Sequence, residues 1–149
     1  MNSETKPVLL VEDNPDDTFL IQHAFHSAKL SNPIQPVSDG EEAMAYLSGE
    51  GDYADRKRYP LPALVLLDLK LPRKSGFDVL AWIRQQPGLE RLPVVVLTCH
   101  NEIPDINDAY DLGANFYLVK SVASSALQDM VRTVARIISD GGRGERGAR

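Results

Sequence analysis

The amino-acid sequence predicts an α/β chain in which five parallel strands alternate with five helices. Three observations carry that reading. Short apolar runs such as VLLV at Val8–Val11 and VVVLT at Val94–Thr98 do not alternate with polar residues, so both faces of each strand must be buried. The segments between them carry apolar residues at helical spacing. Each such segment is long enough to return the chain to a parallel neighbour, which a tight hairpin turn cannot do.

The elements follow in order. Strand one is Val8–Val11, and the segment after it lines up Leu20, Ile21, Ala24, Phe25 and Ala28 on one helical face, with Asn14, Asp16 and Asp17 as cap and first-turn residues. NPIQPVSDG holds a short, proline-flanked second strand ending near Val37, and EEAMAYL is a short helix with Ala43, Met44 and Leu47 inward. Ser48–Pro62 has no periodicity and is rich in turn residues. Leu64–Leu67 is the clearest buried strand; GFDVLAWIRQQPG is a helix stopped by Pro87 and Gly88. After the Val94–Thr98 strand, EIPDINDAYDLGA suggests a helix ending at Gly113, and NFYLVK is the fifth strand. Leu127, Met130, Val131, Val134, Ile137 and Ile138 form the apolar stripe of a last helix. Right-handed crossovers must cover both faces of such a sheet, which makes a doubly wound, flavodoxin-like single domain the natural arrangement, with strand order 2-1-3-4-5. Residues 6–139 form the domain, and the Gly- and Arg-rich residues 140–149 read as a flexible tail.

Composition narrows the function. A chain of 149 residues is enough for one domain with a full core. The formal charge of −5 argues against nucleic-acid binding, which needs a basic face. Cys99 is the single cysteine, so no internal disulfide forms and a reducing, cytoplasmic setting is the simplest expectation. The polar start MNSETKP has no apolar signal region behind it, and no apolar run approaches the ~20 residues of a membrane span.

The chemistry collects where strands end. VEDNPDD sets Glu12, Asp13, Asp16 and Asp17 directly after a buried strand. Two like charges ~4 Å apart repel by roughly 4 kcal/mol at an effective dielectric near 20, so something must offset them. In open α/β sheets ligands sit at the carboxyl ends of the strands. There strand one offers Glu12 and Asp13, strand three Asp68, strand four Thr98 and strand five Lys120. Each alone reads as a helix cap or a surface charge; together they converge on one rim. Clustered carboxylates without His or Cys suit Mg²⁺ or Mn²⁺ rather than zinc. A cation so held can in turn hold a phosphoryl group, with Thr98 as hydrogen-bond donor, Lys120 as point charge and Asp68 as nucleophile.

On LLVEDN, LVLLDLKLPRKSG, VVVLT and FYLVKS the chain resembles the receiver domains of two-component response regulators, over roughly Lys6 to Ser139. The resemblance implies that Asp68 is the phosphorylation site, with Mg²⁺ as cofactor. It makes Asp13 and Asp68 direct metal ligands, Glu12 a ligand through water and the main-chain carbonyl of Lys70 the third protein ligand. Thr98 and Lys120, 22 positions apart as is usual in that family, would be the switch residues, and Tyr117 the aromatic switch position. VEDNPDD and the long Ser48–Pro62 insertion look like the small regulators paired with phytochrome-type histidine kinases. That resemblance implies docking of the kinase through the first helix and homodimers through the fourth helix, fifth strand and fifth helix, where Ile103, Ile106, Tyr110 and Phe116 would contribute. With no second domain, the expected output is a protein contact, without DNA or membrane.

The chain departs from the family pattern at three places. Lys70 stands where Asn or Met is common and is expected to alter the lifetime of the acyl phosphate. Cys99 replaces a smaller residue after Thr98, and Ser121 replaces the frequent proline after Lys120. His100 falls near the site rim, and His23 and His26 are expected on the surface. Two rivals remain: a haloacid dehalogenase-type phosphatase, which wants an Asp where Lys70 stands, and a phosphorylation-independent interaction module on the same scaffold.

Overall fold

The computed structural model describes residues 6–98, 103–120 and 124–140. Strands β1 (Val8–Val11), β2 (Ile34–Val37), β3 (Leu64–Asp68), β4 (Val94–Thr98) and β5 (Phe116–Val119) alternate with helices α1 (Pro15–Ser27), α2 (Gly40–Ser48), α3 (Gly76–Gln85), α4 (Ile103–Asp111) and α5 (Ser124–Asp140). All strands are parallel in the order β2-β1-β3-β4-β5, as the sequence predicts.

Strand alternation divides the core. Leu9, Val11, Val65, Leu67, Val94 and Val96 point to one face, where Ala43, Tyr46, Leu47, Val79, Leu80, Ile83 and Ala109 of α2, α3 and α4 cover them. Val8, Leu10, Leu64, Leu66, Val95 and Leu97 point to the other, against Ile21 and Phe25 of α1 and Leu127, Met130, Val131 and Val134 of α5. Both faces are therefore dry, which explains the unbroken apolar runs. Pro36 sits in β2, opposite Leu10, and is tolerated because β2 is an edge strand with a free side for the missing N–H.

One expectation needs correction. Met44 is half-buried rather than inward; Tyr46 takes its place in the core and donates from its hydroxyl to the Pro60 carbonyl at 2.7 Å. A phenol satisfies the core's need for bulk while its polar tip reaches a backbone acceptor. The Ser48–Pro62 stretch is turn-rich, as the sequence predicts, and is also packed. Gly51–Tyr53 forms a 3-10 turn. Tyr46, Tyr53 and Tyr59 pack tilted or edge-on, with ring centroids 4.9 to 6.1 Å apart. Arg56 donates to the carbonyls of Tyr46 and Leu47, in the last turn of α2, at 2.8 Å each and to that of Tyr59 at 3.1 Å. Tyr53 donates to Glu42 at 2.5 Å; burial and then that carboxylate push its phenol well above the ordinary value.

Arg84, half-buried on α3, was not singled out by the sequence. Its guanidinium donates to the carbonyls of Gly113 and Leu92 and to the Asn115 side chain, each at 2.8 Å. It ties the end of α4 to the start of β4, and the same Asn115 oxygen accepts from the Val94 N–H at 2.8 Å.

Candidate functional site

At the carboxyl end of the sheet, β1 delivers Glu12 and Asp13. The Glu12 N–H donates to the Val37 carbonyl at 3.1 Å, so the strand geometry continues one residue past β1 and drives the Glu12 side chain inward, leaving the residue 3% exposed. The chain then turns on Asn14, whose side chain accepts from the Asp16 and Asp17 N–H groups at 2.9 and 3.2 Å and caps α1, with Pro15 at its first position. Asp68 ends β3, 2% exposed, and its Oδ1 accepts from the Lys70 N–H at 3.0 Å.

Carboxylate oxygens of Glu12, Asp13 and Asp68 lie within 4.8 Å of one another. Lys120, just after β5, reaches into this group. Its Nζ lies 2.8 Å from Glu12 Oε1, 2.9 Å from Asp68 Oδ2 and 3.1 Å from Asp17 Oδ2. The opening repulsion is thus offset in part by one ammonium. Burial works against the charge on Lys120, but the hydrogen bonds to Glu12, Asp68 and Asp17 outweigh it and hold its pKa above the ordinary value. Burial pushes Glu12 up from 4.5 to about 6; hydrogen bonds from Lys120 and the Asn14 N–H pull it down, and the charge on Asp68 pushes it up again.

The donor set fits a hard divalent cation: three carboxylates, oxygen only, two of them buried, beside an exposed third. Among the described residues, Glu12, Asp17 and Asp68 share the ammonium of Lys120 and Asp13 adds a further carboxylate, which leaves net negative charge for a cation to meet.

Of the other sequence-predicted residues, Thr98 closes β4 opposite Val119, one residue beyond the Leu97 that pairs with Asp68. Tyr117 is half-buried on β5 and meets Tyr110 of α4 edge-on, centroids 6.0 Å apart. Lys70 is exposed on the loop after Asp68. His23 and His26 are exposed, as expected. Cys99, His100 and Ser121 lie outside the described residues, as do the side chains of Thr98, Ile103 and Ile106. Asp17 was read only as a first-turn acid of α1; its pairing with Lys120 appears only in the fold. A cleft of about 400 Å³ opens beside the acid pair, lined by Glu12, Asp13, Thr18, Phe19, Gln22 and Val37, with Phe19 65% exposed at its edge.

Residues 8–132 match the response regulator receiver domain. The chain belongs to the response regulator receiver family. It is 40% identical over 137 residues to response regulator Rcp1 of Synechocystis sp., covering 90% of this chain and 91% of Rcp1. The crystal structure of the phosphorylated cyanobacterial phytochrome response regulator RcpA superposes with a TM-score of 0.80 at 43% identity, covering 90% of this chain and 94% of that one. The Mn²⁺-bound form of Rcp1 superposes at 0.76 and 41% identity, covering 87% and 91%. A receiver domain is a signalling module, and phosphoryl acceptance from a kinase is the activity of this family. The likeness to a Mn²⁺-bound relative agrees with the oxygen-only acidic cluster of this receiver. No helix among the described residues is long and apolar enough to cross a membrane.

Proposed function

We propose that this receiver accepts a phosphoryl group on Asp68 from the phosphohistidine of a phytochrome-type histidine kinase, in a divalent-metal-dependent reaction. The observation that carries this reading is the convergence of Lys120 and the Glu12–Asp13 pair on the Asp68 carboxylate, whose Oδ2 already lies 2.9 Å from Nζ. An Asp68 oxygen bonds to phosphorus as the P–N bond breaks; the electron pair leaves with the imidazole nitrogen, which takes up a proton from solvent. Asp13, Asp68 and the Lys70 carbonyl would hold Mg²⁺ or Mn²⁺, with Glu12 assisting through water. When bound, the cation neutralises charge on the phosphoryl oxygens. Lys120 keeps its proton throughout, because three carboxylates hold it charged, and pairs with the transferred group.

Phosphorylation adds about −1.5 to −2 charge at Asp68. Thr98, at the neighbouring strand end, donates to the new phosphoryl group, and Tyr117 follows into the space this opens, remodelling the α4–β5–α5 face. That face supports a homodimer: Tyr110, Phe116 and Val119 are each about two-fifths exposed there. The kinase docks on α1, where Phe19 and the cleft beside Asp13 offer an apolar anchor next to the acceptor. The similarity to RcpA and Rcp1 supports the phytochrome-type partner. The cytoplasm is the compartment of such a kinase's catalytic domain, and the net charge of −5 disfavours nucleic acid as a partner. Residues 6–139 are the working domain.

The test is intact-protein mass after incubation with a small phosphodonor and Mg²⁺. One phosphoryl group is expected on the parent and none on Asp68→Asn or without metal. An unmodified parent under every donor would move the reading to a phosphorylation-independent interaction module. Lys70 supplies a second expectation. Its side chain stands exposed beside the acceptor, where it hinders a hydrolytic water; Lys70→Asn should shorten the acyl-phosphate half-life several-fold, measured by loss of the added mass. An unchanged half-life removes Lys70 from the account.

A further inference from the structure

The loop that leaves Asp68 turns on Arg73, which adopts φ +67, a left-handed backbone at a residue that carries a Cβ. Its guanidinium extends toward the start of α2, 3.5 Å from Asp39 Oδ2 and 3.3 Å from Glu41 Oε1. Asp39 also caps α2: its Oδ1 accepts from the Glu42 N–H at 2.8 Å, so its two oxygens hold the helix and the loop at once.

The loop is pressed from both sides. A Cβ on Gly40 would stand 2.6 Å from both the Cβ and the carbonyl oxygen of Lys74, so α2 touches the loop backbone directly. A Cβ on Gly76 would stand 2.4 Å from the Asp68 carbonyl oxygen. Within the loop, the Lys70 N–H donates to Asp68 Oδ1 at 3.0 Å and the Gly76 N–H to the Leu69 carbonyl at 2.9 Å.

The far side of α2 is secured by the Ser48–Pro62 insertion. Arg56 binds the carbonyls at its last turn, and Tyr53 binds Glu42, whose other oxygen accepts from the Ser38 N–H at 2.9 Å. A continuous path of hydrogen bonds and ion pairs thus runs from the insertion through the first turn of α2 to Arg73, three residues beyond Lys70.

We infer that Arg73 is a positioning residue, which with Asp39 and Glu41 holds the 69–76 loop so that the Lys70 backbone stays on Asp68, and that the insertion serves as the brace for α2. The role rests on Asp68 being the acceptor. Arg73 is 64% exposed, and exposed ion pairs contribute little to global stability. Its effect is therefore local: it selects one backbone state of the loop.

Amide hydrogen exchange on the metal-free full chain, read residue by residue, tests this. Two variants separate charge from backbone. Arg73→Gly keeps the positive φ and removes the cation; the double change Asp39→Asn with Glu41→Gln keeps a side-chain cap on α2 and removes both anions. In both, exchange at Lys70 and Gly76 is expected to quicken about tenfold, while the strand amides of Val65 and Val95 exchange at the parent rate. Phosphoryl uptake on Asp68 from a small donor should slow in step. Parent-like exchange at Lys70 and Gly76 in either variant overturns the proposal, as does equal quickening in the strands, which is a global loss of stability. The exchange arm decides whether or not the parent takes phosphate, so a failure of the Asp68 reading is seen separately in the parent's mass.

Discussion

Gly76→Ala is expected to lower the melting temperature by about 6–12 °C and to impair phosphoryl uptake on Asp68. The added Cβ would lie 2.4 Å from the Asp68 carbonyl oxygen and 2.5 Å from the Leu69 Cα. Both are backbone atoms at the end of a central strand, so neither can step aside as a flexible side chain would. Instead α3 must lift from the sheet, and α3 carries Val79, Leu80 and Ile83, all fully buried. Overpacking of this kind costs about 3 kcal/mol, and a domain of this size loses about 2–4 °C per kcal/mol. A thermal melt reads the first effect and intact mass the second. A variant that melts within about 2 °C of the parent would mean that the β3–α3 junction yields more than its geometry allows.

Lys120→Met should destabilise the metal-free protein at pH 7.5 by about 3 kcal/mol, because it leaves two buried carboxylates without their cation. Met keeps the length and apolar stem of the side chain, so packing is largely preserved. The deficit should depend on pH, and the sign follows from the groups involved. Lys120 has a folded pKa above its unfolded one, so its contribution is fully present below ~10.4 and does not itself change between pH 5 and 7.5. Glu12 also has its folded pKa raised, from 4.5 to about 6, so its ionisation costs the fold stability as pH rises through that window. Without the Lys120 hydrogen bond, which holds it down, Glu12 moves higher still and its cost at pH 7.5 grows. Denaturant melts should therefore show a smaller deficit at pH 5 than at pH 7.5. Mg²⁺ should restore stability more to the variant than to the parent, since it then faces uncompensated acids. A deficit equal at both pH values would show that Lys120 acts through packing alone.

Much of this molecule is legible in the sequence, for a physical reason. A residue directly after a buried parallel strand has its place set by covalent connection, so Glu12, Asp13, Asp68, Thr98 and Lys120 could be assigned to one rim once the strands were recognised. The central strands β1, β3 and β4 were recognisable because both of their faces are dry, which removes polar residues from the run. The helices followed from their apolar runs, and several of their ends from the Asn14 cap, the Pro87–Gly88 stop and Gly113.

What depended on tertiary structure were the pairings that no short-range pattern encodes. Asp17 meets Lys120 across 103 positions of chain, from 17 to 120. Arg73 reaches back to Asp39 and Glu41, and Arg84 gathers carbonyls from two separate loops. Tyr46 displaces Met44 from the core because Tyr53, Tyr59 and the Pro60 carbonyl gather around its ring and hydroxyl, and those neighbours belong to the insertion. The sequence by itself therefore determined the sheet, its order and the acidic rim, since burial and chain connectivity leave signatures a few residues long. Only the folded structure decided which charge meets which and that the insertion is packed, because long side chains choose partners by distance in space, and sequence spacing does not carry that distance.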